Sequence, residues 1–358
     1  MFPVQSRLWV GTQRRALTRS QFRVKGKAMS TLYISQQGCS VSLCQEQLLV
    51  KQKDNICQQV QLPLIEQVLV FGQSQVTTQA LRACLKRNIP VLYLSRMGQC
   101  LGRLLPMPQG YRQLARYQSE LDEETRLAVA RVIVQAKLRN SRVLLLRQAR
   151  VRSSQAIADA ATQLEDFITR AGNAESNPVL MGLEGAGAAC YFAALGHCLI
   201  NPSFQFRERS RRPPTNPVNA MLSFGYQLLW NHLYSLIEAQ NLDPYDACLH
   251  QGTRKHAALA SDLLEAFRAP LADSLMLYLV NHRVMDVESD FTFNQGGCYL
   301  NQLGRRKYLR VFIARMEEEI KAGESEPRPR WDLLMTQVKE YKRFIYTPDV
   351  LFRPYLIR

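Results

Sequence analysis

Hydrophobic and polar positions change rhythm once along this chain. Between Thr31 and Leu105 they recur in short runs, at 31–35, 39–44, 46–51, 56–62, 67–71, 90–95 and 100–105, parted by Gly, Asn, Asp and Ser. Residues 39–44, Cys-Ser-Val-Ser-Leu-Cys, alternate apolar with small polar side chains as a half-buried strand does. One helix interrupts the runs, from about Thr77 to Arg87, and Asn88 and Pro90 stop it. Pro106, Pro108 and Gly110 mark a linker. Beyond it the period is helical, and helices are expected over 111–118, 122–150, 153–171, 178–196, 217–239, 256–268, 270–281, 302–321 and 331–344. Long polar loops fall at 201–216 and 283–301 and are candidates for function. The predicted fold class is α+β: a small N-terminal β-rich domain over 30–105, a linker at 106–111, and a larger all-α C-terminal domain over 112–358. No repeat of fixed period is visible.

Composition narrows the partners. The chain has 358 residues, 46% of them hydrophobic, which is enough for two domains with sizeable cores. Lysine and arginine number 46 against 30 acids, a formal charge of +16. That excess favours a polyanion, without choosing between DNA, RNA and an anionic membrane. Nine cysteines occur, an odd number with no CxxC pair, as expected of free thiols in a reducing cytoplasm. The weakly polar run from Gly185 to Ile200 is short for a membrane span, so no membrane association is expected. Residues 1–29 are expected to be a basic extension or a fusion linker. Arg7, Arg14, Arg15, Arg19, Arg23, Lys25 and Lys27 lie there with no acid. The composition is that of a transit peptide, but a gene start placed too far before Met29, or a remnant of a fused upstream domain, is favoured, because nothing else suggests an organelle.

Three segments of the helical part put chemistry where packing alone would not. Glu184 lies in Leu180-Met-Gly-Leu-Glu-Gly-Ala-Gly187, and at 100° per residue it shares a face with Leu180, Ala188, Tyr191 and Leu195. A lone carboxylate on an apolar face is costly unless it is paired or binds a metal. Gly182, Gly185 and Gly187 weaken the helix and suit close approach of a backbone or nucleic acid. His250 precedes a probable loop at 251–255. Asp262 and Glu265 fall about 60° apart on a helix, off the Leu259, Leu263 and Phe267 stripe. Each has a plain alternative: Glu184 buried against an arginine, His250 merely packed, and Glu265 paired with Arg268 on a solvated face. Carboxylates with one imidazole suit Mg²⁺ or Mn²⁺ better than a structural zinc. HExxH, GxxxxGK[ST] and a well-placed GxGxxG are missing, which argues against a zinc protease, a P-loop NTPase and a dinucleotide enzyme.

Together these segments resemble the CRISPR-associated spacer-acquisition endonuclease and integrase family, the first-numbered Cas family ("Cas one"), over about residues 30–358. The blocks that carry the resemblance are Leu180 to Phe192 (LMGLEGAGAACYF), Arg209 to Tyr226 (RSRRPPTNPVNAMLSFGY), His250, and Asp262 to Pro270 (DLLEAFRAP). The resemblance implies that Glu184, His250 and Glu265 are the catalytic metal ligands for Mg²⁺ or Mn²⁺. Asp262 and Asp273 are the alternatives for the third. It also implies a cytoplasmic prokaryotic protein that dimerises through its N-terminal domains. Two such dimers would flank a dimer of a small ferredoxin-like partner, a heterohexamer, with a fused or associated reverse transcriptase in some relatives. The implied reaction joins DNA 3′-hydroxyls of a protospacer to phosphodiesters of the CRISPR repeat by transesterification. A stand-alone repair nuclease and a non-catalytic nucleic-acid scaffold are the alternatives.

Arg207, Arg209, Arg211 and Arg212, crowded beside Pro213 and Pro214, are expected on phosphates. Asn219 either contacts nucleic acid near the site or serves the helix start, and Tyr226 either reaches the substrate or packs. Arg305, Arg306, Lys307 and Arg310 form a second cluster that is either a phosphate contact or a solvated helix face. Lys137 and Asn140 also resemble a family motif, with a helix-surface role as the alternative.

Overall fold

The computed structural model describes residues 29–357 apart from 35, 54, 96–99, 107–110, 253–255 and 321–326. The basic extension at 1–28, most of the linker and much of the loop at 251–255 therefore lie outside the described residues.

The N-terminal part builds two four-stranded sheets. Its elements are β1 (Met29–Ile34), β2 (Cys39–Cys44), β3 (Gln47–Gln52), β4 (Asn55–Gln61), β5 (Ile65–Phe71), β6 (Gln75–Val76), α1 (Thr78–Lys86), β7 (Val91–Leu94) and β8 (Cys100–Leu104). One sheet runs β4-β3-β2-β6, with β2, β3 and β4 antiparallel. The other runs β1-β5-β7-β8, with β1, β5 and β7 parallel. Parallel strands buried on both faces read as continuous apolar runs, and β5 does so. Val68 and Val70 point into the N-terminal core with Leu32 and Val91, while Leu69, Phe71, Leu92 and Leu94 join the core of the helical part. The second face of this sheet is therefore a floor for the helices.

That floor is sealed by rings. Tyr33 of β1 and Phe71 of β5 lie 5.9 and 6.0 Å from the ring of His232, and Trp331 lies 4.7 Å from it. Neither nitrogen of His232 has a hydrogen-bond partner among the described residues, and burial pushes its pKa down to about 3.

The helical part contains α2 (Tyr111–Ser119), α3 (Glu123–Arg152), α4 (Gln155–Gly172), α5 (Asn177–Gly196), α6 (Pro217–Ala239), α7 (Ala258–Leu264), α8 (Ser274–Asn281), α9 (Val287–Asp290), α10 (Gln302–Glu317) and α11 (Trp331–Tyr346). Asp122 caps α3 by accepting from the Thr125 N–H at 2.7 Å, and Ser153 ends it in the left-handed conformation. The long α3 packs along α4 and α5. A Cβ on Gly187 would lie 2.6 Å from a methyl of Leu138, so this glycine sets how closely α5 approaches α3; Gly182 and Gly185 face open space. Among the described residues α5 is also the helix long and apolar enough to cross a membrane. Here one side of it packs against α3 and α4, the other is exposed, and it carries Glu184.

Two expectations change. The helices predicted over 256–268 and 270–281 are one path: α7 tightens into a 3₁₀ turn at 265–267, widens into a π-helical stretch at Arg268–Asp273, and continues as α8. Such widened turns favour functional sites. The loop expected over 283–301 folds instead into α9 and a hairpin of β9 (Phe291–Asn294) and β10 (Gly297–Leu300), and a two-residue pairing of β11 (Glu319–Ile320) with β12 (Arg328–Pro329) follows α10. The helical part is thus mostly rather than wholly α. The Cys298 N–H donates to the Pro214 carbonyl, so the hairpin backs the basic loop.

The buried imidazole of His232 gives a pH test. Its folded pKa lies below the unfolded value near 6.5, so the stability it permits is complete above that pH and falls on acidification toward 3, by about 1.4 kcal/mol per pH unit. His232→Phe should remove this component. Urea unfolding at pH 7 and pH 5 should show the variant gaining on the wild type as pH falls; a gap that does not change with pH would refute the assignment.

Candidate metal and nucleic-acid site

Glu265 links the other two expected ligands: it shares Lys137 of α3 with Glu184, and it faces His250. Lys137 and Asn140 are both buried, which excludes the helix-surface alternative. The Lys137 ammonium makes ion pairs with Glu184 from α5 and, at 2.8 Å, with Glu265 Oε2. Asn140 Nδ2 donates to the carbonyls of Ala266 (2.7 Å) and Tyr355 (2.9 Å), and its Oδ1 accepts from the Ile357 N–H. One face of α3 therefore holds the 3₁₀ turn bearing Glu265 and the C-terminal tail.

Glu265 is fully buried. Its Oε1 lies 2.8 Å from Arg268 Nη2 and 4.0 Å from His250 Nε2. Burial would raise its pKa, but Arg268, Lys137 and His250 outweigh that and hold the carboxyl below the usual range. The contact of Oε2 with Lys137 lacks hydrogen-bond geometry, and no other donor among the described residues reaches that atom.

Asp262 serves a different purpose. Its Oδ2 accepts from the N–H groups of Cys248 and Leu249 (both 2.9 Å), and its Oδ1 accepts from the His250 N–H (3.0 Å) and faces His250 Nδ1 (2.8 Å). With Nδ1 engaged, Nε2 is the nitrogen directed at Glu265. This is the carboxylate–imidazole arrangement that orients metal-binding histidines. Beside His250 opens a cleft of about 870 Å³ whose lining includes Glu123, Glu124, Glu175 and Asn177.

Asp273 is held by two tyrosines. The hydroxyls of Tyr226 (2.6 Å) and Tyr191 (2.7 Å) donate to its two oxygens, and burial still raises its pKa to about 6. The Tyr226 ring lies between two guanidiniums, Arg268 at 4.9 Å and Arg209 at 5.5 Å from its centre. Asn219 is fully buried. Its Oδ1 accepts from Arg209 and the Ser210 N–H, and its Nδ2 donates to the Glu208 carbonyl. The cap of α6 is Asn216, whose side chain accepts from the Asn219 N–H. Asn219, Tyr226 and half-buried Arg209 thus shape the basic loop from within. Arg207, Arg211 and Arg212 are exposed and have no carboxylate partner among the described residues. In the second basic cluster, Lys307 pairs with Asp290 at 2.8 Å.

The donor set fits a hard divalent cation: two carboxylates and an oriented imidazole, one carboxylate oxygen of which has no hydrogen-bond donor. Among the described residues, however, no three acid, histidine or cysteine side chains stand close enough together to grip an ion. The Lys137 ammonium occupies the space between Glu184 and Glu265.

Residues 32–313 match the family described as CRISPR associated protein Cas1. The chain belongs to the Cas1 family. It is 38% identical over 265 residues to a "CRISPR-associated exonuclease Cas4/endonuclease Cas1 fusion" of Geobacter sulfurreducens, covering 71% of this chain and 47% of that protein. It is 31% identical over 304 residues to "CRISPR-associated endonuclease Cas1 3" of Thermus thermophilus, covering 84% and 89%. The chain spans about half the length of the fusion relatives it matches. Among solved structures, a "Partial Cas6-RT-Cas1--Cas2 complex" superposes with a TM-score of 0.78 at 25% identity, over 92% of this chain and 99% of that one. A "Casposase bound to integration product" shares the fold, with a TM-score of 0.69 at 22% identity over 92% and 100%.

The Asp262 carboxylate can be tested by a change of one atom. Asp262→Asn turns an NH₂ group toward N–H donors and should destabilise the protein by about 2 kcal/mol or more, read from the urea midpoint. A variant as stable as the wild type would show that the 248–250 backbone does not depend on this acceptor.

Proposed function

We propose that this Cas1 family member is a divalent-metal-dependent DNA endonuclease and integrase that inserts new spacers into a CRISPR array. The observation that carries the reading is that Glu265 shares a buried ammonium with Glu184 on one oxygen and faces His250 on the other, with three exposed arginines on the loop whose Arg209 lies over Tyr226 beside Arg268. Glu184, His250 and Glu265 would hold Mg²⁺ or Mn²⁺, with Asp262 orienting His250. When bound, the ion would supply Lewis-acid stabilisation of charge on the scissile phosphate.

The chain's own residues do the rest. Arg207, Arg211 and Arg212 would bind the phosphate backbone, contributing affinity without sequence choice. Arg209, held on Tyr226 and Asn219, would fix the loop beside the site. A 3′-hydroxyl of the incoming DNA attacks a repeat phosphorus; the new P–O bond forms as the old one to the leaving 3′-oxygen breaks, the attacking oxygen loses its proton and the leaving oxygen gains one. With water as nucleophile the same arrangement gives nuclease cleavage. The bond count is conserved, so no covalent enzyme intermediate is needed.

The Cas1 endonuclease names of the relatives and the Cas1–Cas2 and casposase titles of the structural neighbours support this reading. On the same basis we propose a homodimer working with a small ferredoxin-like partner of the Cas2 kind, with a reverse transcriptase as a fused or associated component in some systems. The nine cysteines are all free, as a reducing prokaryotic cytoplasm would keep them.

Glu184→Ala and His250→Ala should each abolish joining of a short duplex with free 3′ ends to a supercoiled repeat plasmid, in Mn²⁺ with the partner protein, while DNA retention on a gel persists. Full strand joining by either variant would refute the ligand assignment. Replacing Arg211 and Arg212 together with alanine should weaken DNA binding and reduce the slope of log affinity against log salt by about two; an unchanged slope would remove these arginines from the interface.

A further inference from the structure

We propose that the Lys137 ammonium is a built-in occupant of the divalent-ion position, and that an incoming ion must displace it from between Glu184 and Glu265. This rests on the metal reading above.

Three observations carry the proposal. Lys137 reaches both carboxylates at once, from a third helix, with its side chain only 8% exposed. The two acids come from α5 and from the turn after α7, so the ammonium is what bridges them. Second, among the described residues no three acid, histidine or cysteine side chains stand close enough together to hold an ion. The acids instead face a cation already in place. Third, the other nearby cation is fixed. Arg268, with its side chain 14% exposed, lies over the Tyr226 ring and pairs with Glu265, and Asp273 lies close enough to act on it electrostatically. Lys137, by contrast, ends a flexible four-carbon stem.

Charge balance gives the direction. Glu184, Glu265, Asp262 and Asp273 contribute four negative charges against the three positive ones of Lys137, Arg268 and Arg209. A divalent ion added without other change would make five against four in a poorly solvated site, with an ammonium as the ion's immediate neighbour. Withdrawal of Lys137 restores four against four. Without the ammonium, Glu184 would have no ion-pair partner among the described residues and Glu265 would keep Arg268 alone. One residue would therefore both hold the unloaded site together and weaken its affinity for metal.

The test titrates Mn²⁺ into the full chain at constant pH, following free Mn²⁺ by electron paramagnetic resonance, and melts the same proteins with EDTA or with Mn²⁺. Lys137→Met should bind Mn²⁺ more tightly, roughly tenfold if competition is the dominant effect. It should also melt several degrees below the wild type in EDTA and recover most of the loss with Mn²⁺. If the methionine variant folds only with metal, Lys137→Gln, which keeps an N–H donor, is titrated instead and should show the same tightening. Equal or weaker Mn²⁺ affinity in the variant, with normal binding by the wild type, overturns displacement and leaves the metal site standing. If the wild type binds no Mn²⁺, or Glu184→Gln binds as well as the wild type, the metal reading itself fails and the proposal falls with it.

Discussion

Two carboxylates at the crossing of three helical segments, Glu265 buried and Glu184 partly so, share one ammonium, and the structure is arranged around supplying it. Lys137 is the only one of the ion-paired cations named at Glu184 and Glu265 that touches both. Its helix, α3, is the longest of the described helices, and the face that carries Lys137 also carries Asn140. Asn140 fastens the turn at Ala266 and the tail at Tyr355 and Ile357, so the position of Glu265 is set by α3 at two points three residues apart. Disturbing either point moves a buried charge away from its counter-charge, which is far more costly than losing a surface pair.

The sheet contributes by fixing α6. This helix is buried on nearly all sides: His232 rests on the rings of Tyr33 and Phe71, and Gly225 lets Tyr308 and Ala272 approach where any Cβ would collide. Because α6 cannot rotate, Tyr226 presents its hydroxyl to Asp273 and its ring to Arg209 and Arg268. The β-rich part is thus not a passive neighbour of the site. Through α6 it sets where the basic loop meets the turn that bears Glu265.

Much of this was legible in the sequence because burial leaves a periodic trace. The change from short alternating runs to helical spacing located both parts, and Glu184 stood out as an acid on an apolar face. The same signal was present for Lys137, which falls on the stripe of Ile133, Ser141 and Leu144; a lysine there needs a carboxylate as surely as Glu184 needs a cation. What the sequence could not separate was Asp262 from Glu265, since spacing alone puts both acids within reach of one ion. Their roles differ because three backbone N–H groups of 248–250 converge on Asp262, and that is a property of loop geometry. Asn219 illustrates the same gap: its hydrogen-bond partners lie back along the loop, invisible to helix periodicity. The π-helical stretch and the 291–300 hairpin escaped for another reason, since both depend on tertiary packing over segments too short to set a period.

The arginines of the basic loop divide into two kinds. Arg207, Arg211 and Arg212 are exposed. Arg209 is half-buried. Its guanidinium bonds to Asn219 and Ser223 and lies over Tyr226, and burial lowers its pKa because water is largely excluded around it. Tyr226 in turn stacks on Arg268, which pairs with Glu265. A continuous set of contacts therefore runs from the base of the loop to the candidate metal ligand. The exposed arginines stand outside that set, whereas any movement of Arg209 must shift a ring packed against the guanidinium that neutralises Glu265. In the proposed reaction, affinity for phosphates would therefore fall to the exposed arginines and placement of the loop to Arg209.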